Sequence, residues 1–555
     1  AAAADAADDA TAALALHNVG VALADRDEFG CAVEAHEAAA AKNPAVAADE
    51  KARAAAAALL DGDADGATAR CEAILSKDPS HGLALFVLAE ARARRGEDAA
   101  ELFERALASD VSAEASFVAP VDADGTDKTY LAAVAADADA VVDAATGRAA
   151  RVSETLTPIT LNARADIKPA PREREAPPPA VVTETLARFG LAGPSGLFAI
   201  EGGGASGKSW VLRAVAVRLA RAQAAEGAAA WLPLLLTLAT TASIDGAIAA
   251  HEHAAALVKA RDERRLVLLL DGLDEVPPAR RGAILEAVDA AAAAGAVVVL
   301  SSRPSAANAD DLAPLGFRFF AAMPLRAEAV AAALDNAPTA EIVETPLALS
   351  LAKSALERGE APAKRVELYK SAIGRRVAES RGGGAASLLA RKAFVNAETT
   401  RALLRRLAAR AHAAGSTEFG RDDLRAALDG DARAAAAAWR LARAGELPLV
   451  VARGDALAFA HLSFQEHLTA EAMGVAALFR DEAKLEDPWW GDVLLTAWAL
   501  DGDEATRDEA VGALEPARRF EEGEEVEVAD EGGANWKKER VASDEGATVV
   551  VGGVR

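Results

Sequence analysis

The sequence predicts a multidomain chain of mixed α and α/β class, and three observations carry that expectation. Helix-hairpin spacing repeats near the N-terminus, a glycine-rich loop joins an apolar run to an amphipathic one in the middle, and two further apolar runs stop abruptly at polar residues. The length, 555 residues, suggests roughly three to four domains, and a hydrophobic fraction of 52% argues against wholesale disorder. Much of that fraction is alanine and only 4% of residues are aromatic, so the chain leans helical and packs with small side chains.

The repeats come first. Leu16, Val19, Gly20, Leu23, Ala32, Ala39 and Pro44 follow the small-and-large spacing by which two helices pack in a unit of about 34 residues. Pro44 and Pro79 stand 35 positions apart. Ala54, Ala55, Ala67, Cys71 and Ile74 carry a second unit, and Leu85, Leu88, Ala89, Ala99, Phe103 and Ala106 a third. Residues 1–111 thus resemble a tetratricopeptide array, with generic helical hairpins as the alternative. Three such units bury a continuous core and expose a concave face suited to a protein or peptide ligand. Residues 112–190 read as a linker and lead-in. Pro169, Pro171 and Pro177 to Pro179, mixed with alternating Arg and Glu, form a stiff polar stretch, or else an ordered loop wrapping the next domain, and Pro158–Leu161 reads as a docking strand.

The loop Gly202-Gly203-Gly204-Ala205-Ser206-Gly207-Lys208-Ser209 fits G-x-x-x-x-G-K-[ST], between the apolar Leu197–Ile200 and the helical pattern that starts at Trp210. In such a loop Gly202, Gly204, Ser206 and Gly207 wrap backbone N–H groups round a phosphate, and the following helix points its positive end there. Lys208 is expected to reach the terminal phosphates and Ser209 to hold Mg2+, and Trp210 is counted with the nucleotide-binding residues. The metal needs a carboxylate opposite the serine. Leu266–Leu270 reads as a strand buried on both faces, and it ends in Asp271, which would help position Mg2+. Asp274 and Glu275 follow and are candidates to polarise an attacking water, with a solvated acidic turn as their alternative. Ala296–Leu300 reads as a third strand, after which Arg303 is placed to sense a γ-phosphate.

These residues resemble a known family. GGGASGKS, LVLLLDGLDEVP and VVVLSSRPS are similar to the three strand-end motifs of the NACHT branch of STAND P-loop NTPases. Gly272 directly after the metal-positioning acid, with an acidic pair two residues on, is distinctive of that branch. The resemblance implies a central P-loop α/β (ASCE-type) NTPase core over 191–325, then helical and winged-helix subdomains over 326–490. It also implies that Pro346, in Glu344–Leu349, packs on the nucleotide, and that Arg365–Tyr369 opens the next section. Phe459–Leu468 is close to F-x-H-x-S-F-Q-E-[YF]-L, in which the histidine, here His461, approaches the bound diphosphate. His467 stands where an aromatic is usual, a change expected to weaken local packing.

Residues 491–555 form a helical segment and then an acidic tail. There Phe520–Val528 alternates acid with valine, resembling the first strands of a small SH3-like barrel, with a disordered tail as the alternative. The formal net charge of -25 disfavours nucleic acid as a partner. Cys31 and Cys71 form no framework, as expected in a reducing compartment. With no long apolar run and an acidic start, no membrane association is expected, and the cytoplasm is the expected location. The chain begins at Ala1 rather than Met, which leaves flanking domains open. The resemblance implies an ATP/ADP- and Mg2+-dependent signalling switch with slow ATPase activity and nucleotide-dependent homo-oligomerisation. GTP stays open as the nucleotide. The alternatives are a constitutive ATPase that remodels a client protein and a repeat scaffold whose nucleotide site is degenerate.

Overall fold

The computed structural model describes residues 2–109, 127–142, 149–152, 159–172, 178–193, 195–224, 230–276, 278–304, 306–379, 384–392, 397–500, 525–529 and 536–540. The chain divides into two compact units. One contains residues 1–121, 373–414 and 418–460, and the other contains 122–372, 415–417 and 461–555. This partition cuts across the expected boundaries. The stretch 326–490 divides between the units, because the 384–391 and 432–443 helices bury their apolar faces on the N-terminal helices rather than on the sheet.

Six N-terminal helices, α1 (Ala2–Ala24), α2 (Phe29–Lys42), α3 (Ala47–Asp61), α4 (Ala64–Leu75), α5 (Gly82–Arg94) and α6 (Ala100–Ala108), form three successive hairpins, each helix packing on the next. The starts of α3 and α5, Ala47 and Gly82, are 35 residues apart, matching the sequence period. Ala54, Ala55, Ala67, Cys71, Leu85, Ala89, Phe103 and Ala106 are buried as expected. Val19 is not: it is 49% exposed, on a face of α1 that no helix among the described residues covers. Cys31 is exposed, so it fills no interface, whereas burial pushes the Cys71 thiol up to about 12.

The expected open concave face is corrected. α1, α3 and α5, the first helices of the three hairpins, pack against the chain's own Gly384–Arg391 helix, and the Ala432–Arg443 helix packs on α6. Gly384 donates its N–H to Asp25 Oδ1 at 3.1 Å, and Leu389 is fully buried. Arg433 pairs with the buried Glu90 at 2.7 Å, and Arg440 lies over the Phe86 ring. The same unit holds a three-stranded antiparallel sheet formed by Glu418–Phe419, Val450–Arg453 and Ala456–Phe459.

The second unit is built on a six-stranded sheet. Its strands are β1 (Leu161–Ala163), β2 (Leu197–Glu201), β3 (Leu232–Thr237), β4 (Leu266–Asp271), β5 (Val297–Ser302) and β6 (Arg318–Ala322), in the spatial order β1-β6-β2-β5-β4-β3. Only β1 runs antiparallel, along β6. Val267–Leu270 and Val297–Leu300 are fully buried, as strands covered on both faces must be. α7 (Asp127–Asp139) and α8 (Lys208–Gln223) pack together on one face. The lead-in therefore belongs to this unit: β1 extends the sheet, though it begins at Leu161, the end of the expected strand. The proline-rich stretch is the ordered loop of the two readings where it is described. Ala170 N bonds to Ala313 O at 2.8 Å, and Arg172 pairs with Asp289 at 2.6 Å. In the acidic tail, Glu525–Ala529 pairs antiparallel with Trp536–Arg540, and residues 520–524 of the expected alternating segment lie outside the described residues. Among the described residues no helix is long and apolar enough to cross a membrane.

Candidate functional site

β2 ends at Glu201 and α8 begins at Lys208, so residues 202–207 make the turn between them. Space demands glycine at both ends of that turn. A Cβ at Gly202 would lie 2.6 Å from Ser206 Oγ and 2.9 Å from Ala322 Cβ, and one at Gly207 would collide with Ile159 and lie 3.1 Å from Pro346 Cγ. Gly207 also takes φ 89°, a region open to glycine and costly to other residues. Ala205 sits at φ 62° without that freedom, a local strain of about 1 kcal/mol. Lys208 folds back into the curl of the loop. Its Nζ donates to Gly202 O at 2.6 Å, Gly203 O at 3.0 Å and Ser206 Oγ at 3.4 Å. Burial lowers its pKa below the usual lysine range. Asp274, Asp271 and Glu275 act against that, and Arg303 adds to it. Ser209 is exposed and Trp210 half-buried on the first turn of α8.

The parallel sheet brings the acids to the same edge. Leu270 on β4 pairs in register with Leu300 on β5, so the next residues, Asp271 and Ser301, emerge side by side. Ser301 Oγ donates to Asp271 Oδ1 at 2.5 Å and accepts from Gly272 N at 2.9 Å, which fixes the carboxylate's direction. Gly272, at φ 80°, turns the chain into a short 3-10 segment, Leu273–Glu275. Asp274 Oδ1 accepts from Arg303 N at 2.9 Å, and Glu275 folds against Gly272.

Arg303 is the hub of the site. Its Nη1 lies 2.6 Å from Asp492 Oδ2, its Nη2 2.7 Å from Glu466 Oε1, and its Nε 3.4 Å from Asp274 Oδ2. It is therefore not the surface charge that an isolated arginine after a strand would be. Asn308 Nδ2 anchors its carbonyl at 2.6 Å and also bonds to the buried Glu201, which Arg164 neutralises at 2.8 Å. Glu466 is pushed up to about 7 by burial; Arg303 works against that rise and Asp492 adds to it. Gly204 of the loop faces this cluster: a Cβ there would lie 3.3 Å from Asp492 Oδ2 and 3.5 Å from both Arg303 Nη2 and Ser463 Oγ.

Pro346 opens the Pro346–Leu356 helix, capped by Thr345, and its ring faces Gly207, so the structure brings it to the loop. His461 caps the Leu462–Met473 helix, its Nδ1 accepting from Ser463 N at 3.1 Å, and within this segment Ser463 is the residue that meets Gly204. At His467 the buried ring stacks on Tyr369, with centroids 5.5 Å apart and planes 18° apart, so it fills the aromatic slot, but both ring nitrogens are buried without a hydrogen-bond partner, which is the cost of a histidine at this position.

Sequence reasoning missed four participants: Ser301, Asn308, Glu466 and Asp492. Glu466 stands inside the quoted Phe459–Leu468 signature, and Ser301 directly follows the apolar run Ala296–Leu300, so both were within reach. Asp492 carries no local signal, because only tertiary packing brings the start of the Gly491–Leu500 helix to Arg303. No family model and no curated protein matches this chain.

Proposed function

We propose that the chain is a nucleotide-controlled switch of the NACHT type. In this reading the Lys208 loop and the β4–β5 edge bind ATP or ADP with Mg2+, and the balance of negative charge around the permanently charged Arg303 sets the position of the 462–500 helices. The loop fits a polyphosphate. Glycine is required at both of its ends, and the half-buried ammonium of Lys208 is satisfied by carbonyl and hydroxyl oxygens that a stronger anionic acceptor outcompetes. Bound Mg–ATP supplies a terminal phosphoryl group for hydrolysis. Lys208 neutralises its charge, Ser209 and Asp271 hold the metal, and Glu275 and Asp274 orient water.

One observation carries the switch. Arg303 bonds at once to the strand-edge acid Asp274 and to Glu466 and Asp492 from the helices, directly beside Gly204. An added negative charge at that edge competes with the two helix carboxylates for the guanidinium and repels them. The helices are then released by the difference in affinity between the two arrangements. Catalysis in this reading is slow, and self-association follows release.

The test is to identify nucleotide in the purified chain and to compare gel filtration with ADP and with a non-hydrolysable ATP analogue. We expect co-purifying adenine nucleotide that is lost in Lys208→Ala, and a larger species with the triphosphate. Identical elution under demonstrated binding rejects the switch, and fast turnover independent of oligomer size supports a constitutive ATPase instead. Absence of any bound nucleotide supports a scaffold.

A further inference from the structure

We propose that the N-terminal helical array carries a transition-metal site of the zinc class, formed by His17 on α1, His36 on α2 and Glu50 on α3. Three helices each deliver one donor. Glu50 Oε1 lies 2.9 Å from His17 Nδ1, and Oε2 lies 2.8 Å from His36 Nδ1. All the donor atoms fall within 4.8 Å of one another, and this is the one such group of three found among the described residues. Two imidazoles and a carboxylate form the borderline donor set that suits Zn2+, Co2+ or Ni2+ rather than Mg2+ or Ca2+.

Two further features bear on this cluster. His36 is 1% exposed and its Nε2 has no partner, so a histidine here is costly unless Nδ1 does something strong. Its ring is also seated with care. Gly20 on α1 lies directly against it, and a Cβ there would come within 2.7 Å of the ring, which fixes Nδ1 on the shared carboxylate. Glu50 is fully buried, whereas the His17 side chain is 17% exposed and gives an ion a way in. Arg53 Nη1 holds Oε1 at 3.2 Å, which leaves Oε2 and the two Nδ1 atoms as the ligand set, with the fourth position left to water. An imidazole that binds through Nδ1 keeps its proton on Nε2. The bound ion would tie α1, α2 and α3 together at one point.

The experiment uses the untagged full chain, stripped with chelator and titrated with Co2+ and then Zn2+. We expect one ion per chain, a visible ligand-field band with cobalt, and an unfolding midpoint raised by several degrees with saturating zinc. His17→Gln, at the exposed edge, should weaken binding at least tenfold and remove the band. His17→Cys should restore cobalt binding with a thiolate charge-transfer band. Asp271→Asn, which removes the acid proposed for Mg2+, should leave the band in place, so that failure of this site and failure of the nucleotide site are read separately. No band and no zinc-dependent midpoint in the wild-type chain overturns the proposal. So does stoichiometric binding that survives His17→Gln.

Discussion

Two buried glutamates, one in each unit, are driven in opposite directions. Glu50, in the helical array, is fully buried and burial raises its pKa. Hydrogen bonds from His17 and His36, with Arg53 beside it, overcome that and hold it at about 2. Glu466, beside the phosphate-loop turn, is 3% exposed and burial again raises its pKa, but here Asp492 reinforces the rise and Arg303 only partly offsets it, leaving it near 7. Both side chains are shielded from solvent, though Glu466 is the more deeply enclosed of the two. Beyond that, they differ in the number of donors aimed at the carboxylate and in whether a second acid shares them. A carboxylate with three donors is locked in place. One that shares Arg303 with a second acid is poised to move.

The largest test of this contrast is Glu50→Ala against Glu466→Gln. Glu50→Ala strips the acceptor from His17, His36 and Arg53 and should cost about 3–5 kcal/mol in urea unfolding, while Glu466→Gln should cost about 1 kcal/mol or less. Equal losses would erase the distinction. Next comes pH. Folded Glu466 keeps a proton that an unfolded glutamate gives up near its ordinary 4.5, so its contribution is complete in acid and is lost as pH rises through about 7. That is at most about 3 kcal/mol. The wild-type unfolding midpoint should fall between about pH 5 and 7.5 more steeply than that of Glu466→Gln, and parallel profiles would show that Glu466 titrates normally. Smaller still is Asp492→Asn, which removes one competitor for Arg303. An ATP analogue should then bind about tenfold more tightly than to the wild type, read by calorimetry, and an unchanged affinity breaks the link between the helices and the loop. The smallest effect belongs to His467→Phe, which keeps the stack on Tyr369 and should change stability by about 1 kcal/mol or less.

The strand edge was legible because its chemistry is written in consecutive residues. A loop between strand and helix, or an acid after five apolar residues, obeys local rules, and Lys208, Asp271 and Arg303 were each found that way. Partnerships were not legible. That Ser301 orients Asp271 follows from the β4–β5 register, and that Asp492 meets Arg303 follows from packing across 189 positions of sequence. The partition of 326–490 failed for a similar reason. Alanine-rich helices such as Ala432–Arg443 carry little sequence information about which apolar surface they cover. Likewise the helical spacing marked Val19 as a packing position, but nothing in the spacing shows whether a neighbour lies on that side.

The Gly384–Arg391 helix has a consequence for anything that seeks the surface it covers. A segment tethered to its own receptor acts as a competitor at millimolar effective concentration, never diluted away. A free peptide making equally good contacts would need a similar concentration to occupy half the molecules, so an isolated weak motif would go unread. Only a ligand presented many times on one scaffold, or one with a footprint wider than the eight residues it displaces, would get through.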